Sequence, residues 1–389
     1  ILAQLRAESN LWKVVEIETG KVVGMVGVYV DDILLSGPQT VVDELIAAFQ
    51  KLWETSKPEI PSESTSTKFC GLEIKRGSSG SVQLAQKDYV MDLVARYAEE
   101  IPSGQQTQPW SGPDDFPEEP DYSTAELRRG QTLAGELQWL AQRSRVDIAL
   151  AVSKMSQMLT RAPREAVVRG LRLLAYLRDT QDFYLEYLPT DQVVTHSDDV
   201  AEHQEHHVEC FPDASFAPSC MFSQSGAVVV WCGAVVAWHT SRQSLMAQSS
   251  AEAELVAAMD GAALVRGISP LVAELAGQEV KTWALVDNTA CVAIVTSPST
   301  SWRTRHLKIR AAGYVDLVER GVLHLRHVPG ATLVADALTK PLAAQRLREL
   351  MERYGVSWPS SSWSRPKVAR CSTSSFLSGP TGTLQLERG

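Results

Sequence analysis

Six carboxylates stand where an apolar run stops or starts, positions from which a rigid element can aim a side chain into a site. Asp31 and Asp32 sit side by side in "GVYVDDILLSG" (27–37), between two runs of strand-forming residues. Asp213 lies in "CFPDASFA", Glu254 in "SSAEAELVAAM", Asp287 in "WALVDNTA" and Asp336 in "LVADALTKPL". Hard oxygen donors grouped in this way suit a divalent cation. A pair of such ions can drive phosphoryl transfer by activating water and stabilising the leaving oxyanion. Each acid also has a plain structural reading. Asp-Asp favours a tight turn, strand ends favour Asp, and the helix dipole favours Asp in a first turn. The set as a whole, in the order it takes along the chain, points to a site.

Two glutamates compete for one role. Ser249-x-x-Glu252 is a capping-box pattern, which gives Glu252 a structural task. Glu252 and Glu254 lie about 200° apart around a helix, so both cannot face one metal. Leu255, Ala258, Met259 and Ala262 mark the packed stripe, and Glu254 borders it. Glu254 is the ligand candidate.

The elements that must hold these residues are legible from periodicity. Residues 12–36 read as strands, and Thr40-x-x-Asp43 reads as the cap of a helix carrying Val42, Leu45, Ile46, Phe49 and Leu52. "FCGLEI" (69–74) and "SVQLA" (81–85) flank the turn "KRGSSG" as a hairpin, and 86–100 is an amphipathic helix. Residues 101–124 are a Pro/Ser/acid-rich linker, and 125–178 are mostly helical with a break near Pro163. Residues 189–209 are polar and His-rich, and beyond them the pattern is β-β-β-α-β-α-α-β-α. His196, His203, His206 and His207 in that stretch invite a zinc reading, but the chain offers no second half of a zinc pattern, so a solvated linker is expected. The Ser/Pro-rich tail is expected to be disordered.

Bulk properties set limits. The 389 residues are 44% hydrophobic and 21% charged, enough for two or three globular cores. No run of about 18 uncharged apolar residues occurs, so no membrane partner is expected. The six cysteines form no C-x-x-C pair, which fits a reduced intracellular protein. A net charge of −9 excludes a strong nonspecific grip on nucleic acid, so binding there needs a local basic cluster. "WRTRHLKIR" supplies one, with Trp302, Arg303, Arg305, His306, Lys308 and Arg310, although a helix with a solvated basic face would read the same way. The start at Ile1 suggests a piece of something longer.

An ordered series of motifs resembles the C-terminal part of a copia-type LTR retrotransposon Pol polyprotein, the end of reverse transcriptase followed by ribonuclease H. "YVDD", "KFCGLEI", "LAQKDYVMDLVARY" and "GELQWLAQRSRVDIALAVSKMSQML" resemble the polymerase portion and the stretch after it. "PDASFA", "SSAEAELVAA", "VDNTACV", "TRHLKIRAAGYV" and "HVPGATLVADALTKPL" resemble the ribonuclease H signatures, in order, over about residues 10–350. The resemblance implies an α/β fold with α+β elements. Residues 1–108 would be a truncated palm and thumb-like region, 109–190 a helical connection, 191–350 a ribonuclease H-like domain with a mixed five-stranded sheet, and 351–389 a disordered tail.

The resemblance also implies roles. Asp213, Glu254, Asp287 and Asp336 would be the catalytic metal ligands, with Asp31 and Asp32 a second, polymerase metal pair. The cofactor would be Mg²⁺ or Mn²⁺. The partners would be an RNA–DNA hybrid and the upstream polymerase portion, and the location a cytoplasmic virus-like particle or the nucleus. Ser215 and Asn288, next to the catalytic aspartates, would contact 2′-hydroxyls. Three departures stand out. No residue before 12 can supply the further polymerase aspartate, Val146 replaces the usual Pro, and no His comes after His327 in the loop before Asp336. The missing aspartate leaves a second reading open, a catalytically inactive relic that binds nucleic acid or protein.

Overall fold

A computed structural model describes residues 1–78, 80–111, 118–189, 192, 206–217, 221–297, 305–357 and 381–385. The chain opens with β1 (Leu2–Gln4), β2 (Leu11–Val15), β3 (Val22–Tyr29) and β4 (Asp32–Ser36), followed by α1 (Gln39–Leu52). Val26, Ile33 and Leu35 alternate onto one face and bury Val42 of α1 against them. Tyr29 pairs with Asp32, so the β3–β4 turn is Val30-Asp31, with Val30 at φ 58°. A β-branched residue in the left-handed region is strained, and such strain collects at functional turns. Thr40 does not cap α1. The helix starts one residue earlier, behind Pro38, with no side-chain cap.

Next come β5 (Thr67–Phe69), β6 (Leu72–Arg76), β7 (Val82–Ala85) and α2 (Lys87–Arg96). The expected hairpin is β6 against β7. The helical segment is α3 (Thr124–Arg143), α4 (Ala149–Met158) and α5 (Pro163–Asp179). A full capping box, Ser123 with Glu126, starts α3, and Pro163 opens α5 at the position where its missing N–H costs nothing. Between α3 and α4, Arg145 makes a two-pronged ion pair with Asp147 at 3.0 and 2.8 Å, and Tyr176 adds its hydroxyl to Asp147 at 2.8 Å. Both ends of this pair are buried.

The rest of the chain forms β8 (Tyr184–Tyr187), β9 (His207–Ser215), β10 (Gln224–Trp231), β11 (Ala234–Arg242), α6 (Ser250–Ala276), β12 (Lys281–Val286), α7 (Thr289–Thr296), α8 (Arg305–Arg310), α9 (Ala312–Glu319), β13 (His324–His327), α10 (Asp336–Thr339), α11 (Ala344–Arg353), β14 (Val356–Ser357) and β15 (Thr381–Gln385). One sheet runs β11-β10-β9-β12-β13, with β12 parallel to both β9 and β13 and the other pairs antiparallel. This is the expected mixed five-stranded sheet, with the Asp213 strand in the middle. β9 is buried on both faces, as a central strand covered twice must be.

Each face has its own cover. On one, Leu255, Ala258, Ala262 and Val265 of α6 pack on Val208, Cys210, Ala227 and Val229. A Cβ at Gly261 would lie 2.9 Å from the Cys210 sulfur, so glycine there lets α6 approach the sheet. By length and composition α6 is apolar enough to cross a membrane, but it carries Asp260 and Arg266 and packs on the sheet as a core helix. On the other face, Phe211, Val228, Val230 and Val235 share one core with Leu137, Met155 and Leu173 of α3–α5 and with Leu338 and Met351.

The sequence-based boundaries do not partition the structure. A second sheet, β14-β8-β7-β6-β5, takes strands from either side of residues 108, 190 and 350. The tail expected to be disordered from 351 is helical to Arg353 and then pairs Val356–Ser357 with β8. Thr381–Gln385 pairs with β4, completing the first sheet, β1-β2-β3-β4-β15. The His-rich stretch is not linker to its end. His207 starts β9, is buried, and meets Trp283 edge-on, whereas His196 and His203 lie outside the described residues.

Candidate active site

Three of the expected carboxylates meet. Ligand oxygens of Asp213, Glu254 and Asp287 all lie within 4.8 Å of one another. Asp213 comes from β9, Glu254 from the second turn of α6 and Asp287 from the residue after β12. A central strand, the helix packed on it and the neighbouring parallel strand therefore deliver one oxygen group each. Gln243 holds the helix in place by donating to the Ala253 carbonyl at 2.9 Å and to Ser225 at 3.0 Å. A Cβ at Gly330 would sit 2.8 Å from Oδ2 of Asp287, so the loop after β13 packs directly on that carboxylate. His327 reaches the Asp287 carbonyl at 3.1 Å.

Asp336 stands at the rim. It begins α10, a four-residue helix followed by α11. It joins the group through Lys340, whose ammonium donates to Asp336 at 2.6 Å and to Asp213 at 3.3 Å. Thr339 donates its hydroxyl to the other oxygen of Asp213. Neither Lys340 nor Thr339 was singled out from the sequence. The available signal was the i, i+4 spacing of Asp336 and Lys340.

The electrostatics are those of acids crowded out of water. Burial pushes the Glu254 carboxyl up to about 8, helped by the charges of Asp213 and Asp287. Burial also raises Asp213 and Asp287, with Lys340 opposing the shift at both. At Lys340 burial disfavours the charge, but Asp213 and Asp336 outweigh it and hold the ammonium above its usual value. Lys340 offsets only part of this negative charge, and a divalent ion would supply more. Three hard carboxylates with no His or Cys among them fit Mg²⁺ or Mn²⁺.

The other expected site residues fare unevenly. Asp31 and Asp32 stay on the β3–β4 hairpin, and no third carboxylate joins them in a metal-sized group among the described residues. Ser215 ends β9, half-buried. The amide oxygen of Asn288 caps α7 by accepting from the Cys291 amide at 3.0 Å. Trp302 and Arg303 lie outside the described residues. Arg305 and His306 are exposed on α8. Lys308 donates to the Ser297 carbonyl at 2.6 Å.

Arg310, although exposed, pairs with buried Glu252 and so clamps α8 to the start of α6. Glu252 forms half of the expected capping box. Its amide reaches Ser249 at 3.2 Å, but its carboxylate takes the Gln248 amide at 2.8 Å and Arg310.

No protein-family model matches the chain. It is 27% identical over 351 residues to the Retrovirus-related Pol polyprotein from transposon RE1 of Arabidopsis thaliana, covering 88% of this chain and 22% of that protein. The corresponding RE2 polyprotein of the same plant is 26% identical, covering 85% of this chain and 21% of the relative. The Transposon Ty1-DR5 Gag-Pol polyprotein of Saccharomyces cerevisiae is 22% identical, with 84% and 19% covered. The chain is similar to retrotransposon Pol polyproteins and spans about a fifth of the length of those it matches.

Among solved structures, it is similar to RNase H1 from Halobacterium salinarum NRC-1, with TM-score 0.27 and 18% identity, over 38% of this chain and 98% of that one. A second is LC11-RNase H1 in complex with RNA/DNA hybrid, with TM-score 0.26 and 15% identity, over 34% and 93%. The fold rests on the sheet order and the grouped carboxylates of this chain itself.

Proposed function

We propose that this chain holds a copia-type retrotransposon ribonuclease H that hydrolyses the RNA strand of an RNA–DNA hybrid, attached to a reverse transcriptase portion. The supporting observation is the convergence of Asp213, Glu254 and Asp287 within 4.8 Å on a mixed five-stranded sheet. Those three and Asp336 would hold the metal. A bound pair of Mg²⁺ or Mn²⁺ ions would supply the activated water and stabilise the leaving 3′-oxygen. Thr339 and Lys340 fix the direction in which Asp213 presents its oxygens. Ser215, the Asn288 amide nitrogen, Arg305 and His306 are the groups that would meet the hybrid, with Trp302 and Arg303 beside them in sequence.

Partners in this reading are the hybrid and an upstream polymerase portion. The location would be a cytoplasmic virus-like particle or the nucleus. Asp31 and Asp32 would bind metal only when another part of a polymerase completes the set. The test is incubation of the purified chain with end-labelled RNA–DNA hybrid in Mg²⁺ or Mn²⁺, with duplex DNA and duplex RNA as controls. Cleavage of the hybrid's RNA strand alone supports the reading. Binding of the hybrid without cleavage supports the inactive relic that binds nucleic acid or protein.

A further inference from the structure

The turn that carries Thr339 and Lys340 is seated by a hydrogen-bond chain that begins outside the ribonuclease H-like sheet. Thr240, Gly226 and Asp213 are register neighbours across β11, β10 and β9, so they share one face. Gly226 leaves a notch between the other two. A Cβ there would lie 2.8 Å from both Leu338 Cβ and Thr339 Cγ2, so α10 occupies the space a side chain would fill. The turn is tied down on both sides of the notch. Thr339 donates to Asp213 on one side, and Thr240 donates to the Leu338 carbonyl at 2.6 Å on the other.

Thr240 is itself held. It accepts from the Gln224 amide nitrogen at 2.7 Å, and that nitrogen also reaches Ser153 of α4 at 3.2 Å. The Gln224 amide oxygen accepts from Gln157 of α4 at 3.2 Å. Every donor and acceptor along Gln157, Gln224, Thr240 and Leu338 points the same way, so each bond sets the proton direction of the next. Around the polar chain, α4 shares the apolar core that contains Leu338.

We propose that Thr240 and Gln224 are positioning residues that transmit the placement of α4 to the Leu338–Lys340 turn, making the helical segment before the sheet part of the metal site's scaffold. This rests on the ribonuclease H reading for its catalytic consequence, but not for its metal-binding one. In Thr240→Val the shape stays and the hydroxyl goes, leaving the turn untied on one side.

The experiment uses the full chain. Steady-state cleavage of a hybrid is measured for wild type, Thr240→Val, Thr240→Ser and Gln157→Leu across a Mg²⁺ titration, with Mg²⁺-dependent melting shifts recorded on the same proteins. For Thr240→Val, kcat falls about tenfold or more with KM within about twofold, because a small misplacement of a reacting group is costly while the hybrid-binding surface is untouched. The Mg²⁺ midpoint rises, and Thr240→Ser restores both. Gln157→Leu moves kcat the same way by less, and it carries the test if Thr240→Val does not fold.

Wild-type kcat and Mg²⁺ midpoint in the folded valine variant overturn the proposal, as does a loss that serine fails to rescue. If the wild type cleaves no hybrid, the activity reading fails and the melting shift decides. A smaller Mg²⁺ shift in Thr240→Val than in wild type supports the positioning role, and equal shifts overturn it.

Discussion

The hydroxyl of Thr339 donates to the carboxylate of Asp213, joining residues 126 positions apart in sequence. Asp213 is buried in the central strand, and the next residue after Thr339 brings the only cation that touches Asp213 among the described residues. The acid is thus oriented by its neighbours from α10 before any metal arrives.

Lys340→Met should lower the stability of the metal-free protein by about 1–2 kcal/mol, since a buried carboxylate loses a charged hydrogen-bond partner at a half-exposed ammonium. Mg²⁺ should recover more melting temperature in this variant than in wild type, because the ion replaces the missing charge on the folded state alone. Melting curves in EDTA and in Mg²⁺ check this. Equal gains in the two proteins would contradict it.

Asp287→Asn should abolish hybrid cleavage with the fold intact, and it should reduce the Mg²⁺-dependent rise in melting temperature. The change keeps the shape and relieves repulsion at the carboxylate cluster, so the metal-free variant should melt at or above the wild-type temperature. A variant that cleaves at the wild-type rate would remove Asp287 from the site.

Glu252→Gln separates the two glutamates of α6. Gln still accepts from the Gln248 amide, but the buried partner of Arg310 loses its charge, so stability should fall by about 1–2 kcal/mol. Cleavage measured well below the melting temperature should persist, whereas Glu254→Gln should abolish it. The reverse outcome would exchange their roles.

Glu254 also sets a pH dependence. Its carboxyl keeps the proton to about 8 when folded, against 4.5 for the unperturbed group. Between those values the folded state binds a proton that the unfolded chain has released, so metal-free stability falls as pH rises through this window and levels off above it. Glu254→Gln should flatten part of that slope. Urea melts in EDTA at about pH 5 and pH 8 test the sign, and an identical slope in both proteins would refute the assignment.

Primer extension by this chain alone should be undetectable. Asp31 and Asp32 meet no third carboxylate among the described residues, and polymerase chemistry needs a fuller cage for its ions. DNA synthesis on a primed RNA template would show that the pair suffices.

Local pattern carried much of this protein. Alternating apolar residues marked the strands, and the residues ending them marked Asp213 and Asp287. A helical stripe of Leu255, Ala258 and Ala262 picked Glu254 over Glu252, because orientation around one helix is a local property. Relations between distant segments were not legible in this way. Arg310 belongs to a basic cluster in sequence yet pairs with buried Glu252, and sequence does not say which face of a basic helix meets another element. Thr40 matched a capping pattern, but the helix began before it, since Pro38 sets the backbone entering α1.

The role of Lys340, the notch at Gly226 and the chain from Gln157 to Leu338 depend on strand register and on helices docking across a sheet. Sheet register and docking are decided by the whole core at once, because a shift of one residue moves every side chain to the opposite face. The residue types for a metal site were therefore readable from the chain, while the groups that aim them were assembled by tertiary packing alone.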